Sequence, residues 1–474
     1  MTYTGIPCTY SPFLAIIDYC MNMERRQFLR YASLSTVGFA FTACNSGSNP
    51  KTQESLTGKS AVNFGNLEKT DLTIGIVPVL DCAPLVVAKE KGLFQKYGLN
   101  VTLKQESSWI KIQDGLVKGR LDAAHALYGM PMFTQLGANK APMVSLMTLN
   151  LNGNAIAHSK KAWEAGIRPS IDYTNFQEFI DTYKKYIQSL KKRPSFGIEF
   201  PAAMQNYTLR YWLSAMGVQP DEDIKLIEIL PTQIVDKFKA GVVDSYCASA
   251  PWNQQAVLDK VGFTSFVDRD IWKGHPEKVL ATMEKWVQDN PTTARAVVAA
   301  VLEACQYCDR PQNSLEVATL IADQKYVNTQ VKSLQDALSG NYNYGGFDQT
   351  VRVKQIPDLQ LFHFKNMQYL KPPDHANYPW RSHAVWVLTQ MIRWNQIEAK
   401  QYPKDADTMI DKIYPLEIYE EVAKALKIPL PKEQMKVEPA AVFIDGWAFD
   451  PSQPVQYLNQ FEIRAGRPQI LTLS

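Results

Sequence analysis

Histidine, cysteine and acidic clusters are the usual carriers of chemistry, and in this chain they are sparse. The six histidines are His125, His158, His275, His363, His375 and His383. None stands at metal-ligand spacing from another histidine or a cysteine. Of the cysteines, only Cys305 and Cys308 form a close pair. Val298, Val301, Leu302, Cys305 and Cys308 share one face at helical spacing, so both thiols are expected in a core. No phosphate-binding loop, dinucleotide fingerprint, Gly-x-Ser-x-Gly, His-Glu-x-x-His or calcium loop occurs. The pattern predicts capture rather than catalysis: no catalytic residue, no cofactor and no metal.

One run carries the chemistry of export. Arg25-Arg26 followed by Gln27-Phe28-Leu29 has the form of a twin-arginine signal. A modest apolar stretch, Leu34 to Phe41, is too short to span a bilayer. It ends in Phe41-Thr42-Ala43-Cys44, which resembles a lipobox, so Cys44 is the expected site of acylation and the first mature residue. Met23 is then the natural start, and residues 1–22 read as an overextended beginning. Residues 23–44 form the signal. The polar, Ser/Gly/Asn-rich stretch 45–70 reads as a tether. The expected location is the periplasmic side of the cytoplasmic membrane, held to the lipid bilayer by the acyl anchor.

The elements that would position a site come next. The chain has 474 residues, 46% hydrophobic and 20% charged, with a formal net charge of +3. That is enough for a sizeable core, and it gives no reason to expect nucleic acid as a partner. Strands are expected at Leu72 to Ile76, Asn100 to Lys104 and Asp122 to His125, with helices between them. A second set follows at Phe196 to Phe200, Lys225 to Leu230 and Val243 to Ala248. The two sets share a Gly-x-x-Asp step, Gly119 to Asp122 and Gly241 to Asp244. Two α/β lobes of similar plan follow, with ligand expected at the C-terminal ends of their strands. Asn154 to His158 is the expected outward crossing between lobes, and the return is expected near Lys278 to Glu284. Asn290 with Pro291 has the composition of an N-cap and N1 pair for a helix to Cys308.

Asp81-Cys82-Ala83-Pro84-Leu85 through Gly92-Leu93-Phe94 resembles the solute-binding proteins of nitrate and bicarbonate ABC importers. Arg210-Tyr211-Trp212-Leu213, Pro251-Trp252-Asn253, Ile271 through His275-Pro276-Glu277-Lys278, and Tyr378-Pro379 through Arg393-Trp394 agree. The resemblance implies a two-lobed type II periplasmic-binding-protein-like α/β fold with a hinge and extra C-terminal helices. Its parts are 71–157 (first lobe), 158–270 (second lobe), 271–400 (return and helices) and 401–474 (C-terminal extension). It implies no enzyme activity, a monomer, and ABC permease and ATPase subunits as partners.

The resemblance also implies a ligand set. Trp109, Pro231 and Lys278 match the tryptophan, proline and lysine that hold the anion in nitrate-binding members. Asn154 stands where those members have glutamine, and Gln205 stands where they tend to have histidine. Nitrate accepts hydrogen bonds only, so its pocket needs donors, one cation and a flat wall. Trp109 can give the wall, Lys278 the charge, and the helix N-terminus and side-chain amides the donors. Bicarbonate also carries an O–H and needs an acceptor, which an amide oxygen supplies. A small oxyanion is expected, nitrate or nitrite ahead of bicarbonate. An exported anion sensor without transport is the alternative class. A pyrimidine-synthesis-like enzyme would need a Cys-rich motif that is missing here.

Overall fold

A computed structural model describes residues 61–465 apart from 138–139, 366, 368 and 398–400. All of them belong to one unit, Ser55–Ser474. Arg25, Arg26 and Cys44 lie outside the described residues. Two sheets organise the fold. In the first, β1 (Asp71–Ile76), β2 (Asn100–Gln105) and β3 (Ala123–Leu127) run parallel in the order β2-β1-β3. In the second, β6 (Ser195–Ile198), β7 (Lys225–Glu228) and β8 (Ser245–Ser249) run parallel in the order β7-β6-β8. Helices Ala83–Glu90 (α1) and Trp109–Val117 (α2) belong to the first set, and Met204–Ala215 (α3) to the second.

The shared Gly-x-x-Asp step has the same geometry in both lobes. Gly119 and Gly241 end their helices at φ 66° and 71°, a left-handed conformation that glycine adopts without a Cβ penalty. Three residues on, the Asp122 N–H donates to the Thr73 carbonyl at 2.9 Å, and its carboxylate accepts from the Thr73 N–H at 2.8 Å. Asp244 repeats this with Ser195, at 2.9 Å in both directions. In each lobe the aspartate clamps the third strand to the first.

Each sheet is completed by a strand arriving from the other lobe, which makes the sheets mixed. β4 (Met143–Asn152) belongs to the first sheet and β5 (Asn154–Ser159) to the second, so the outward crossing is the single residue Gly153. Gly153 has φ 110°, and a Cβ there would lie 1.9 Å from the Gln360 side-chain oxygen. β9 (Gly262–Val267) lies in the second sheet and β10 (Pro276–Met283) in the first, so the return spans Asp268 to His275, earlier than expected. β5 pairs antiparallel to β8, and β10 antiparallel to β3. Both therefore begin at the end where the parallel strands finish. That is why Asn154 and Lys278 come together.

Later segments cover both lobes. The hairpin β11 (Asn341–Asn343) and β12 (Val353–Gln355) reaches back to the second lobe through Tyr342–Thr264 and Arg352–Asp172. β13 (Gln360–Leu361) then joins the edge of the first sheet. In the extension beyond residue 400, Tyr414 donates to the Tyr128 carbonyl and Tyr457 to the Tyr211 hydroxyl.

Two local expectations are corrected. The end of the predicted tether is docked rather than free: Phe64 packs near Tyr97, and the Glu68 carboxylate accepts from the Thr292 and Thr293 N–H groups at 3.0 and 2.9 Å. Glu68 is therefore the acceptor at the start of Pro291–Cys308 (α4). Asn290 makes no side-chain cap there; its amide donates to the Trp286 carbonyl. A carboxylate is the stronger complement to an N-terminal dipole. Cys305 and Cys308 are buried and free, as the helical spacing predicted.

Candidate ligand-binding site

The C-terminal ends of β1, β6 and β8 meet the beginnings of β5 and β10 in one enclosed polar cluster. Trp109 is the first residue of α2, whose N-cap Ser108 accepts from the Lys111 N–H. Its indole N–H donates to Glu199, just past β6, at 2.9 Å. The other Glu199 oxygen accepts from the Ser249 N–H at 2.9 Å. Ser249 closes β8 and sits at the centre. Its hydroxyl accepts from Gln205 at 2.7 Å and from the Lys278 ammonium at 3.2 Å, and donates to the Asn154 amide oxygen at 3.0 Å. The Asn154 amide NH₂ then serves two carboxylates, Asp268 at 2.6 Å and Glu277.

Four of the five residues expected from the sequence, Trp109, Asn154, Gln205 and Lys278, thus fall in one network. Each is at most 1% exposed. Pro231 stands apart. It opens the Pro231–Gln233 turn after β7, the outer strand of the second sheet, and no hydrogen bond or ion pair of the cluster involves it.

The sequence reading missed the acids. Lys278 lies 2.6 Å from Glu277 and 3.6 Å from Asp81, with the Trp109 ring centroid at 5.6 Å. Asp81, in the turn after β1, also accepts from Asn150 at 2.6 Å. His275 lies between two carboxylates, Nε2 at 3.2 Å from Asp268 and Nδ1 at 3.4 Å from Glu277. The readable signal was an ionisable residue at or just beyond the end of an apolar run, as in Ile198-Glu199 and in Val77 to Leu80 before Asp81. Burying such a charge is costly unless it is paired.

Burial and charge set the protonation of the cluster. Burial works against the charged forms of Lys278 and His275. For Lys278 the Asp81, Glu277 and Glu199 carboxylates outweigh it and hold the pKa above its ordinary value, so the ammonium stays charged. Asp268 and Glu277 do the same for His275. Glu277 is pushed up to about 7 by burial, against the pull of Lys278 and His275. Burial raises Glu199 too, against Lys278 and the Ser249 and Trp109 hydrogen bonds. His125, whose ring meets Trp109 edge-on at 5.2 Å, is held neutral by burial and by Lys278.

Asp268, His275 and Glu277 place ligand atoms within 4.8 Å of one another. Each carboxylate already faces a His275 ring nitrogen and an Asn154 N–H. The arrangement suits capture of a small polar species. Lys278 offers charge, Trp109 a ring face, and Ala203 leaves the start of α3 without a side-chain cap. The Gln205 Oε1, Asp81 Oδ2 and His125 Nε2 atoms are buried without hydrogen-bond partners among the described residues.

Hydrogen bonds that join the lobes directly include Trp109 to Glu199, Lys278 to Ser249, Asn154 to Glu277, and the Leu80 N–H to the Ala250 carbonyl at 2.8 Å. The cluster is shut off from solvent by this closed arrangement, so a ligand enters only when the lobes part.

Comparison with known proteins gives a consistent picture. Residues 65–322 match the model of the NMT1-like family. The chain is 37% identical to the nitrate import ATP-binding protein NrtC of Synechocystis sp. strain PCC 6803, covering 85% of this chain and 57% of that protein. It therefore spans little more than half the length of that relative. It is 33% identical to the nitrate/nitrite binding protein NrtA of Nostoc sp. strain PCC 7120, covering 85% of this chain and 88% of that one. Among solved structures, the periplasmic nitrate-binding protein NrtA from Synechocystis PCC 6803 superposes with a TM-score of 0.74 at 30% identity, covering 84% of this chain and all of that one.

Proposed function

The chain belongs to the NMT1-like family, and from that premise we propose that it is the solute-binding protein of an ABC importer. It captures a small oxyanion, nitrate or nitrite first, and delivers it to a permease. The observation that carries this reading is Lys278: a fully buried ammonium at the junction of the two lobes, beside a tryptophan ring and sharing the Ser249 hydroxyl with Gln205 of α3. Trp109, Asn154, Gln205 and Lys278 form the ligand site in this reading. Pro231 is kept as an edge residue on the same side of the second sheet. The protein acts outside the cytoplasmic membrane, exported by the Arg25-Arg26 signal and anchored through Cys44, and it performs no catalysis. No helix among the described residues is long and apolar enough to cross a membrane.

The test is calorimetric titration of the purified chain with nitrate, nitrite and bicarbonate, each with and without calcium. Saturable nitrate or nitrite binding that is lost in Lys278→Met supports the proposal. Binding of bicarbonate alone, and only with calcium, would make it a bicarbonate carrier instead. Mass spectrometry of the membrane-extracted protein checks for an acyl group on Cys44.

A second reading rests on the similarity to NrtC. This chain matches 57% of that ATP-binding protein and carries no phosphate-binding loop of its own. A domain of this kind suits anion sensing. Association with an ATPase subunit that changes with nitrate, in the absence of uptake, would favour sensing over delivery.

A further inference from the structure

Resting on the oxyanion reading above, we infer that the cleft captures its anion together with a proton, and that Glu199 is the group that takes up the proton. Four buried carboxylates, Asp81, Glu199, Asp268 and Glu277, surround one buried ammonium, Lys278, and one imidazole, His275. His275 is committed to Asp268 and Glu277, and Lys278 to Glu277 and Asp81. With its acids ionised, as they are when the lobes are open to water, the enclosure therefore carries more negative than positive charge. An acceptor-only anion entering it meets repulsion that water cannot screen. One proton per anion removes that added charge.

Glu199 is placed to hold the proton. Its two oxygens accept from groups on opposite lobes, the Trp109 indole N–H and the Ser249 N–H. The contact with Trp109 exists only when the lobes are closed. Each oxygen keeps a second lone-pair direction. Protonation there converts an acceptor into an O–H donor in an enclosure whose unpartnered Gln205 and Asp81 oxygens are acceptors. The groups facing Glu199 are Trp109 from α2, Ser249 from β8, Lys278 from β10 and Asp81 from the turn after β1. His125, neutral, lies behind Trp109. Burial, only partly offset by Lys278 and the two N–H donors, favours the neutral acid. The proton comes from solvent as the lobes close and returns to it when they open. No bond other than O–H is made or broken.

The test is titration of the full chain with sodium nitrate at pH 7 in two buffers of different ionisation enthalpy, phosphate and Tris. The expected slope of apparent enthalpy against buffer enthalpy is close to one proton taken up per anion. Affinity is expected to fall by up to tenfold per pH unit on the alkaline side. In Glu199→Gln both the proton uptake and the pH dependence disappear. Nitrate binding in the wild type with no proton uptake overturns the inference, as does uptake that persists in Glu199→Gln. If Glu199→Gln does not fold, Glu277→Gln is titrated in its place: uptake that survives there supports Glu199, and uptake lost there overturns the inference. If no oxyanion binds at any pH from 5 to 8, the oxyanion reading itself fails.

Discussion

Replacing Lys278 with methionine removes the charge while keeping an unbranched apolar chain of similar length. The consequence follows from the distances. At an effective dielectric constant of about 20, the 2.6 Å approach to Glu277 and the 3.6 Å approach to Asp81 are worth roughly 6 and 5 kcal/mol in isolation. Burying the ammonium offsets much of that. The net loss on removing one partner of a buried pair is about 3–5 kcal/mol, because Glu277, Asp81 and Glu199 are left without their cation. The loss must depend on pH. At pH 5 Glu277, pushed up to about 7 by burial even with Lys278 present, is already protonated and loses little with the cation, whereas at pH 8 it must either stay charged unpaired or take up a proton, each at a cost. Urea denaturation of wild type and Lys278→Met at both pH values measures this. The expected result is a loss of about 3–5 kcal/mol at pH 8 and a smaller one at pH 5. Adding Glu277→Gln should recover part of the alkaline loss. A loss below about 1 kcal/mol at pH 8, the level of an exposed pair, or a larger loss at pH 5, refutes the charge balance described here.

Four further predictions follow from single contacts. Wild-type stability falls as pH rises from about 5 to 7.5: folded Glu277 binds its proton more tightly than the unfolded chain, a contribution of roughly 3 kcal/mol at acid pH that is gone above about pH 7. His275, raised in the fold, acts in the same direction; a denaturation midpoint that rises over this range contradicts the assignment. Gly153→Ala places a Cβ 1.9 Å from the Gln360 oxygen in a left-handed backbone, and should cost about 1–3 kcal/mol by thermal unfolding; no change would mean the crossing is slack. Asn154→Ala leaves Asp268 and Glu277 without their shared N–H donor and costs about 1–3 kcal/mol, whereas a loss limited to ligand binding would show the amide is not structural. Cys82, Cys247, Cys305 and Cys308 are all buried, and burial raises each thiol's pKa, so a thiol reagent should label them only after denaturation; rapid labelling of the native protein would refute that packing.

Much of the site was legible before any coordinates, and the reasons are local. Trp109 was found through the family resemblance, and the Ser-Ser pair before it is a local cap signal that agrees with its place at a helix start. Lys278 and Asn154 were found through motif blocks. The acids around them were not found, because Asp81, Glu199 and Glu277 are scattered over almost 200 residues and look like ordinary polar punctuation between elements. Pro231 shows the converse: a motif match carried it to the right strand end, but that strand lies at the outside of its sheet.

The amino-acid sequence by itself determined the two-lobed plan. Hydrophobic spacing and the repeated Gly-x-x-Asp step act over a few residues, and each aspartate closes on the first strand of its own lobe. Only the tertiary structure decided the electrostatic character of the cleft. β5 and β10 cross between lobes and run antiparallel, so their first residues land beside the ends of β6 and β8. There Trp109 spends its N–H on Glu199 rather than keeping it for a ligand, and Lys278 arrives already paired. The balance of a buried charge depends on its neighbours within a few ångströms, and sequence separation carries almost no information about those.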